Sequence, residues 1–264
     1  MFRSLREQLP EGPVVVAHRG DSEHHAENTL PAFAAALALG VTMQEFDVRR
    51  TRDGVLLCIH DESFDRTTDA ARRFGPGALV AETTFARARE LDGARGRNVT
   101  GERTVLPTLD EVLDLLLPQC IAMIEHKAGP PADYLAAVRR HGPNARCIVQ
   151  SFDWNFVAAM RTIAPEIAVA LLGPTTSAPR IDAATIAFAR SIDAGMVHWS
   201  DRAITTEEVR LAHEHDLLVC TYTTDDELGF FGGATMGIDA MCTNRPASMQ
   251  QLRAAGRLRR GRRD

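Results

Sequence analysis

The stretch VVVAHRGDSEHHAENTLPAFAAALALGVTMQEFDV, residues 14–48, predicts a strand, a helix and a second strand in succession. Both VVVAH (14–18) and MQEFDV (43–48) are short and apolar, which is typical of strands buried in a parallel sheet. Between them, TLPAFAAALALG (29–40) has the length and composition of a helix and ends on a glycine, a common helix terminator. The stretch therefore predicts one β-α-β unit.

The same alternation continues along the rest of the chain. Six further candidate strands are each followed by a helical pattern, and they are IAMIEHK (121–127), RCIVQSF (146–152), IAVALLG (167–173), GMVHWS (195–200), LLVCTYT (217–223) and IDAMCT (238–243). Eight strand–helix units in about 250 residues predict an α/β fold of the TIM (β/α)8 barrel type. A doubly wound open sheet is the alternative, but the sequence lacks the glycine-rich phosphate turn that usually follows the first strand of such a sheet.

The second unit of the predicted barrel is irregular. GVLLCIHD (54–61) looks like an additional strand, and residues 62–105 are polar, arginine-rich and only weakly periodic. We interpret 62–105 as a small insertion after the second strand that caps the catalytic face, because loops at that face of a barrel carry the functional groups. Residues 1–264 are accordingly predicted to form a single domain, with a basic tail over residues 253–264.

The bulk composition is that of an ordinary globular protein, with 45% hydrophobic residues, 25% charged residues and a formal net charge of -5. A mildly acidic surface gives no reason to expect nucleic acid as a partner. The N-terminal segment lacks the apolar core of a signal peptide, no stretch is long enough to span a membrane, and the five cysteines are scattered without metal-site or disulfide spacing. We therefore predict a cytoplasmic protein without stable membrane insertion, whose arginine-rich tail is a solvated terminus; its oligomeric state is open.

Chemically active side chains occur where the first three predicted barrel strands end. The members are His18 and Arg19 on the first strand, Glu45 and Asp47 on the second, and Glu125 and Lys127 on the third. Residues two apart in a strand point to the same side. Glu45 and Asp47 are therefore expected to face the barrel mouth together, and so are Glu125 and Lys127. Active sites of TIM barrels lie at this end of the strands.

Three of these side chains are carboxylates that would repel one another strongly if they were buried together. A hard divalent cation resolves that repulsion, because Mg²⁺ and Ca²⁺ prefer oxygen ligands. The sequence therefore predicts a site for Mg²⁺ or Ca²⁺ formed by Glu45, Asp47 and Glu125.

The remaining groups suit a phosphate ester. Arg19 and Lys127, the single lysine of the chain, supply positive charge for phosphate oxygens. His18 and His60 are available as general base and general acid, because imidazole titrates near physiological pH. A metal, two cations and two histidines together indicate cleavage of a phosphodiester.

These residues belong to an ordered series of short motifs. The chain resembles the glycerophosphodiester phosphodiesterase family, whose pattern runs HRG, ENT, ExD, TxDG, HD, RTT, LPTL, ExK and SF. This sequence has HRG at 18–20, ENT at 27–29, EFD at 45–47, TRDG at 51–54, HD at 60–61, RTT at 66–68, LPTL at 106–109, EHK at 125–127 and SF at 151–152. The resemblance covers nearly the whole chain and implies a TIM barrel.

The resemblance implies hydrolysis of glycerophosphodiesters, such as glycerophosphocholine or glycerophosphoethanolamine, to glycerol 3-phosphate and an alcohol. By position it implies the same metal ligands, acid/base histidines and phosphate-binding cations as above, and it places Asn28 near the metal or the substrate. In this chemistry the glycerol hydroxyl beside the phosphate can act as an internal nucleophile, which would give a cyclic phosphate intermediate. Whether it does so here, which alcohol is preferred and which metal is used stay open.

The chain departs from the family pattern mainly in its C-terminal half. The usual aspartate after the eighth strand is Asn244, and the usual tryptophan near the end of the seventh is replaced by the stretch TYT (221–223). Tyr222 and Trp199 are candidate substrate-binding residues that could form an apolar or cation–π wall for a choline-like group. His198 is left open between pocket lining and core packing.

The motifs leave two alternative functions open. A lipid-directed phosphodiesterase of the phospholipase C or D type would need an exposed apolar loop at the barrel mouth, and the insertion offers only Phe64, Phe74, Leu79, Val80 and Phe85. A non-catalytic glycerophosphodiester-binding protein would not need both histidines as an acid/base pair. Hydrolysis of small glycerophosphodiesters is the favoured hypothesis.

Overall fold

A closed barrel of eight parallel strands dominates the described part of the computed structural model, residues 12–95, 103–142 and 145–258. β1 pairs with β2 on one side and with β9 on the other, which closes the barrel, and the short β3 is added antiparallel to β2. The strands are β1 (Val14–His18), β2 (Met43–Arg50), β3 (Leu56–Cys58), β4 (Ile121–His126), β5 (Cys147–Ser151), β6 (Ala168–Gly173), β7 (Met196–Ser200), β8 (Leu218–Tyr222) and β9 (Ala240–Thr243).

A helix follows each barrel strand, and the described part of the insertion contains two short α-helices and one 3-10 helix, Val80–Glu82. The helices are α1 (Leu30–Ala38), α2 (Ala70–Arg73), α3 (Phe85–Ala88), α4 (Leu109–Leu116), α5 (Pro131–Arg140), α6 (Trp154–Ile163), α7 (Ala183–Ser191), α8 (Thr206–Glu214), α9 (Glu227–Met236) and α10 (Pro246–Ala254). Capping side chains define several starts. Thr108 with Glu111, and Thr205 with Glu208, form complete capping boxes at α4 and α8.

Strand residues alternate between two apolar cores. Val14 and Val16 point into the barrel, where they join Met43, Met123 and other residues of the inner cluster. Val15 and Ala17, their neighbours along β1, belong instead to the larger cluster between the sheet and the helices. Because both faces of the sheet are buried, the strands are rich in apolar residues on both faces.

The insertion has a small core of its own. Phe64, Val80 and Leu91 are almost fully buried there, and they pack with Leu57 of β3 and with Leu106 near the start of α4. This satellite core fixes the insertion against the second strand of the barrel. The apolar residues of the insertion are thus mostly used for its own packing.

The predicted TIM barrel, with its insertion after the second strand, is confirmed. The predicted eighth barrel strand begins at 238, whereas β9 begins at Ala240; the Ile238 amide donates to the Gly233 carbonyl of α9 and is not free for the sheet. The single-domain assignment stays a prediction. Residues 1–11 and the end of the basic tail, 259–264, lie outside the described residues. Among the described helices, none combines the length and apolarity that crossing a bilayer requires.

Candidate active site

The predicted site residues meet at the end of the barrel where β1, β2 and β4 finish. His18 is in register with Glu45 across β1 and β2, and Asp47 is in register with Glu125 across β2 and β4. Side chains in register on neighbouring parallel strands point to the same side of the sheet. These four side chains therefore share the barrel mouth.

Glu45, Asp47 and Glu125 form a compact cluster of buried carboxylates. Each offers an oxygen atom, and these atoms all lie within 4.8 Å of one another. Both Glu45 oxygens are buried without a hydrogen-bond partner among the described residues. Leaving a buried carboxylate oxygen unpaired is costly, and such oxygens are the ligands that hard divalent cations prefer. The three residues therefore fit a metal ion.

The three carboxylates differ in their protonation. Burial, reinforced by the charges of Asp47 and Glu125, raises the pKa of Glu45 well above its ordinary value. Burial and the Asp47 charge also raise the pKa of Glu125, to about 7. Burial opposes ionisation of Asp47 too, but Arg19 and Lys127 overcome it and hold the pKa of Asp47 below its ordinary value. Asp47 is thus the carboxylate that remains charged without a metal.

Two cations contact different oxygens of Asp47. Arg19 Nε lies 3.0 Å from Asp47 Oδ2, and Lys127 Nζ lies 3.3 Å from Asp47 Oδ1. Lys127 Nζ also contacts Glu125 Oε1, and Arg19 Nη1 donates to Glu27 Oε1 at 2.8 Å. The arrangement supplies positive charge beside the carboxylates, where a phosphate group would need it.

The turn after β1 holds these groups in an unusual backbone conformation. Arg19 and Asn28 have φ angles of 59° and 58°, and Gly20 has a φ of 82°. A Cβ atom on Gly20 would lie 2.6 Å from the Ala32 carbonyl carbon, so only glycine fits. The Asn28 side chain donates to Asp47 Oδ2 at 3.0 Å and accepts from the Asp47 amide at 3.3 Å. Asn28 therefore orients Asp47.

Hydrogen bonds fix the tautomer of His18. Asn244 Nδ2 donates to Asp225 Oδ2 at 2.7 Å, which determines the amide orientation because a carboxylate can only accept. Asn244 Oδ1 then accepts from His18 Nδ1 at 2.7 Å. His18 Nε2 is consequently the basic nitrogen, and it lies 3.7 Å from Glu45 Oε2. Burial and the Arg19 charge lower the pKa of His18 to about 4, so the ring is neutral at physiological pH.

A chain of ion pairs holds His60. Its Nδ1 donates to Asp61 Oδ1 at 2.6 Å, and Arg66 Nε donates to Asp61 Oδ2 at 2.5 Å. Arg66 also bridges to Glu27, the partner of Arg19. The hydrogen bond from Arg66 lowers the pKa of Asp61 to about 2, while burial lowers the pKa of His60. Asp61 therefore stays ionised and orients the imidazole.

The two aromatic candidates lie on opposite sides of the sheet. Tyr222 is at the barrel mouth, where its hydroxyl donates to the Gly173 carbonyl at 2.8 Å and its ring meets Phe152 edge-on at 6.1 Å. Trp199 is fully buried on the helix side and packs beside Trp154. A strand residue next to an inward-facing one points outward. The structure therefore does not bring Trp199 to the pocket; Phe152, 40% exposed, occupies the mouth beside Tyr222.

His198, left open by the sequence, lies inside the barrel below Tyr222. It is 2% exposed, its Nδ1 lies 2.8 Å from Gln150 Oε1, and its ring contacts Tyr222 edge-on at 5.1 Å. Burial, helped by the charge of His18, lowers the pKa of His198 from 6.5 to about 3. The ring is therefore neutral in the folded protein over most of the pH range.

We expect His198 to make the protein sensitive to acid. Between about pH 6.5 and pH 3 the unfolded chain binds a proton at this ring that the folded protein does not, so the contribution of His198 to the free energy of unfolding falls as pH falls, by at most about 1.4 kcal/mol per pH unit. Urea unfolding of the chelated protein from about pH 7 to about pH 4 measures this slope. The free energy of unfolding of His198→Gln should decrease less than that of the unchanged protein over this pH range. His215→Gln is the matched control and should behave like the unchanged protein. An equal slope in His198→Gln and the unchanged protein would refute this assignment.

Sequence reasoning missed three supporting residues. Asn244 was noted only as a departure from a motif, although it fixes the tautomer of His18. Asp61 and Arg66 were quoted within motifs without a role, although they hold His60. Asp61 directly follows His60 in the sequence, and this adjacency could have pointed to its role. Asn244, in contrast, is 226 residues from His18 and meets it only through closure of the barrel.

Fold and site together define a class, a TIM-barrel hydrolase of phosphoric diesters. The model of the glycerophosphoryl diester phosphodiesterase family matches residues 18–248. This match covers most of the chain, which therefore belongs to that family. The sequence predictions of the family and of the phosphoric diester hydrolase class are confirmed.

Named relatives agree with this placement. A glycerophosphodiester phosphodiesterase of Caldanaerobacter subterraneus subsp. tengcongensis is 36% identical over 168 residues, which cover 60% of this chain and 66% of the relative. A glycerophosphodiester phosphodiesterase of Bacillus subtilis is 28% identical over 258 residues, covering 90% of this chain and 85% of the relative. An Oleispira antarctica phosphodiesterase, solved in complex with the product sn-glycerol-3-phosphate, has the same fold, with a TM-score of 0.82, 23% identity and coverage of 91% and 96% of the two chains.

Proposed function

We propose that this protein hydrolyses small glycerophosphodiesters to glycerol 3-phosphate and an alcohol, in a reaction that depends on Mg²⁺ or Ca²⁺. The observation that carries the proposal is the buried Glu45, whose two oxygens have no hydrogen-bond partner among the described residues while Arg19 and Lys127 stand beside the neighbouring Asp47. Membership of the family supports the reaction class. The product complex of the Oleispira antarctica phosphodiesterase, which shares the fold, supports glycerol 3-phosphate as one product.

Glu45, Asp47 and Glu125 would hold the cation. An all-carboxylate set favours Mg²⁺ or Ca²⁺ over softer metals. A bound divalent cation would supply Lewis-acid neutralisation of phosphoryl charge. Asp47 is already oriented for this task by Asn28, which accepts from its amide and donates to its carboxylate.

Arg19 and Lys127 bind the phosphate in this proposal. Both side chains are mostly buried, with exposed fractions of 15% and 14%, so their charges are little screened by water. Their present partners, Asp47 and Glu125, would share the charge of the metal. The contacts of Arg19 and Lys127 with these carboxylates would then weaken, and both side chains could bind non-bridging phosphate oxygens.

His18 is the proposed general base and His60 the proposed general acid. The neutral His18 ring presents its Nε2 lone pair, which accepts the proton of the attacking hydroxyl group. His60 donates a proton to the alcohol oxygen as the phosphorus–oxygen bond breaks, and the ionised Asp61 stabilises its protonated ring. The attacking group is water or the adjacent glycerol hydroxyl, and the latter would give a cyclic phosphate.

The alcohol end of the substrate would meet the aromatic edge of the mouth. Tyr222 and Phe152 form that edge, and Lys127 Nζ lies 5.9 Å from the centre of the Phe152 ring. An aromatic edge suits an alcohol with apolar carbon or a quaternary ammonium group. Tyr222 is therefore proposed as a substrate-binding residue, together with Phe152.

Packing of the insertion disfavours the lipid-directed alternative. Phe64 and Val80 are buried in its own core, and Phe74 and Phe85 pack against that core. Leu79 is the exposed large hydrophobic residue of the described insertion, at 37%. A single exposed side chain is a weak anchor for a lipid surface.

The test is an assay of the products. The protein is incubated with glycerophosphocholine or glycerophosphoethanolamine and with Mg²⁺ or Ca²⁺, and glycerol 3-phosphate and phosphocholine are measured separately. Release of glycerol 3-phosphate with the free alcohol, lost on chelation, is the expected result. Release of phosphocholine would show that the phosphoester bond to glycerol is cut, which contradicts the proposal. A lack of any product with either metal would contradict it as well. A cytoplasmic location and the lack of a nucleic-acid partner stay predictions from the sequence.

A further inference from the structure

A second group of metal-binding side chains shares Glu45 with the carboxylate cluster. Ligand atoms of His18, Glu45 and Cys242 all lie within 4.8 Å of one another. Cys242 is on β9, which pairs with β1, and its thiol is free and fully buried in the barrel interior. Hydrolysis as proposed above gives no task to a thiol at this place.

His18 is prepared as a ligand. Its Nδ1–H is donated to Asn244 Oδ1, so the lone pair is on Nε2, the nitrogen that faces Glu45. Metal-binding histidines nearly always donate their other ring N–H to a fixed acceptor in this way. Asn244 is itself fixed, because both its backbone amide and its side-chain amide donate to Asp225.

Glu45 supplies an independent observation at the same place. Its side chain is 2% exposed, and neither oxygen has a hydrogen-bond partner among the described residues. One of these oxygens lies 3.7 Å from His18 Nε2. Before any ion binds, a buried carboxyl group without a hydrogen-bond partner among the described residues therefore lies beside an imidazole and a thiol.

The three ligand types select a different class of ion from the carboxylate cluster. Imidazole and thiolate suit Zn²⁺ and similar soft or borderline cations, whereas Mg²⁺ and Ca²⁺ avoid sulfur. We infer that His18, Glu45 and Cys242 form a binding site for a thiophilic divalent cation such as Zn²⁺, and that occupation of this site inhibits the enzyme. The inhibitory part of this inference rests on the proposed function.

The chemistry explains why inhibition is expected. When the ion binds, the Cys242 thiol loses its proton to solvent and the sulfur becomes a ligand. The ion takes the Nε2 lone pair of His18, so this ring no longer accepts a proton. It also takes Glu45, so the hard cation loses one of its ligands. Hard cations would therefore support hydrolysis at Glu45, and thiophilic cations would stop it.

Binding is tested without any activity measurement. Co²⁺ is titrated into the metal-free protein, and thiolate-to-cobalt charge-transfer absorption in the near ultraviolet is followed. We expect one equivalent of Co²⁺ to produce this absorption in the unchanged protein and in Cys220→Ser, a matched control that alters another fully buried cysteine of the same inner cluster. Cys242→Ser and Cys242→Ala should lack it. Absence of the band in the unchanged protein, or its persistence in both Cys242 variants, would overturn the site.

Inhibition is tested by titrating Zn²⁺ at a fixed concentration of the activating metal, with each variant compared with its own zinc-free rate. Loss of one ligand should raise the half-inhibitory Zn²⁺ concentration at least about tenfold in both Cys242 variants, and Cys220→Ser should match the unchanged protein. An equal half-inhibitory concentration in all of them would overturn the inhibitory role. If the protein hydrolyses no glycerophosphodiester at all, the cobalt titration still decides the site, so the two failures are distinguishable.

Discussion

Replacing Glu45 by glutamine is expected to abolish activity and, at the same time, to stabilise the metal-free protein. Glutamine keeps the shape of the side chain but removes a charge that the hard cation needs. Several kcal/mol of transition-state stabilisation from a metal correspond to about 10³-fold or more in rate, so kcat should fall by at least that factor. The measurement is release of glycerol 3-phosphate at saturating Mg²⁺ or Ca²⁺.

The stability effect follows from the raised pKa of Glu45. A carboxyl group whose pKa is higher in the folded than in the unfolded protein makes folding less favourable at every pH above the unfolded value. An amide at this position carries no such cost, so the free energy of unfolding of the chelated protein should rise at pH 7, by about 1–4 kcal/mol.

Thermal unfolding with and without metal separates the two effects. The unchanged protein should gain about 2.7 kcal/mol when the cation is present at 100 times its dissociation constant. Glu45→Gln should be more stable than the unchanged protein under chelation and should gain little from added metal. Asp110→Asn, at an exposed carboxylate on α4 that pairs with Arg140, is the control. A Glu45→Gln protein that is less stable under chelation, yet still responds to metal, would refute the cluster as a metal site.

Replacing His18 by alanine is expected to lower kcat by about 10²–10⁴-fold, the usual contribution of a general base. KM should change much less, because Arg19 and Lys127, which hold the phosphate in the proposal, remain. His215→Ala, at the end of α8, should retain the kcat of the unchanged protein. Steady-state kinetics with glycerophosphocholine measure both parameters.

A variant at Asn244 tests the tautomer of His18 directly. Asn244→Leu removes the acceptor at His18 Nδ1 without touching the ring, so kcat should fall with little change in KM. Nitrogen-15 NMR of the histidine rings should show that the proton of His18 is no longer confined to Nδ1 in this variant. A His18→Ala protein with kcat within about tenfold of the unchanged protein would exclude His18 as the general base.

The order of strands and helices could be read from the sequence because it depends on local patterns. Apolar runs such as VVVAH act over a few residues, and the structure places a strand there. The ends of strands were less predictable. Ile238 continues an apolar run, yet its amide is used by the carbonyl of Gly233 and β9 starts later.

The site was predictable to the extent that its members end strands. Two-residue spacing correctly placed Glu45 beside Asp47, and parallel register brought Glu125 to them. The same reasoning failed for Trp199, because an aromatic residue near a strand end can face either side and only the packing against Gly173 shows which.

By itself, then, the sequence determined the eight-unit barrel, the family and the residues that carry charge at the strand ends, since each of these depends on neighbours in the chain. Only the tertiary structure decided the contacts that depend on closing the barrel. Asn244 reaches His18 because β9 pairs with β1, and Cys242 comes beside Glu45 for the same reason. Residues so far apart in the chain leave no local pattern, so their meeting is set by the global path of the chain.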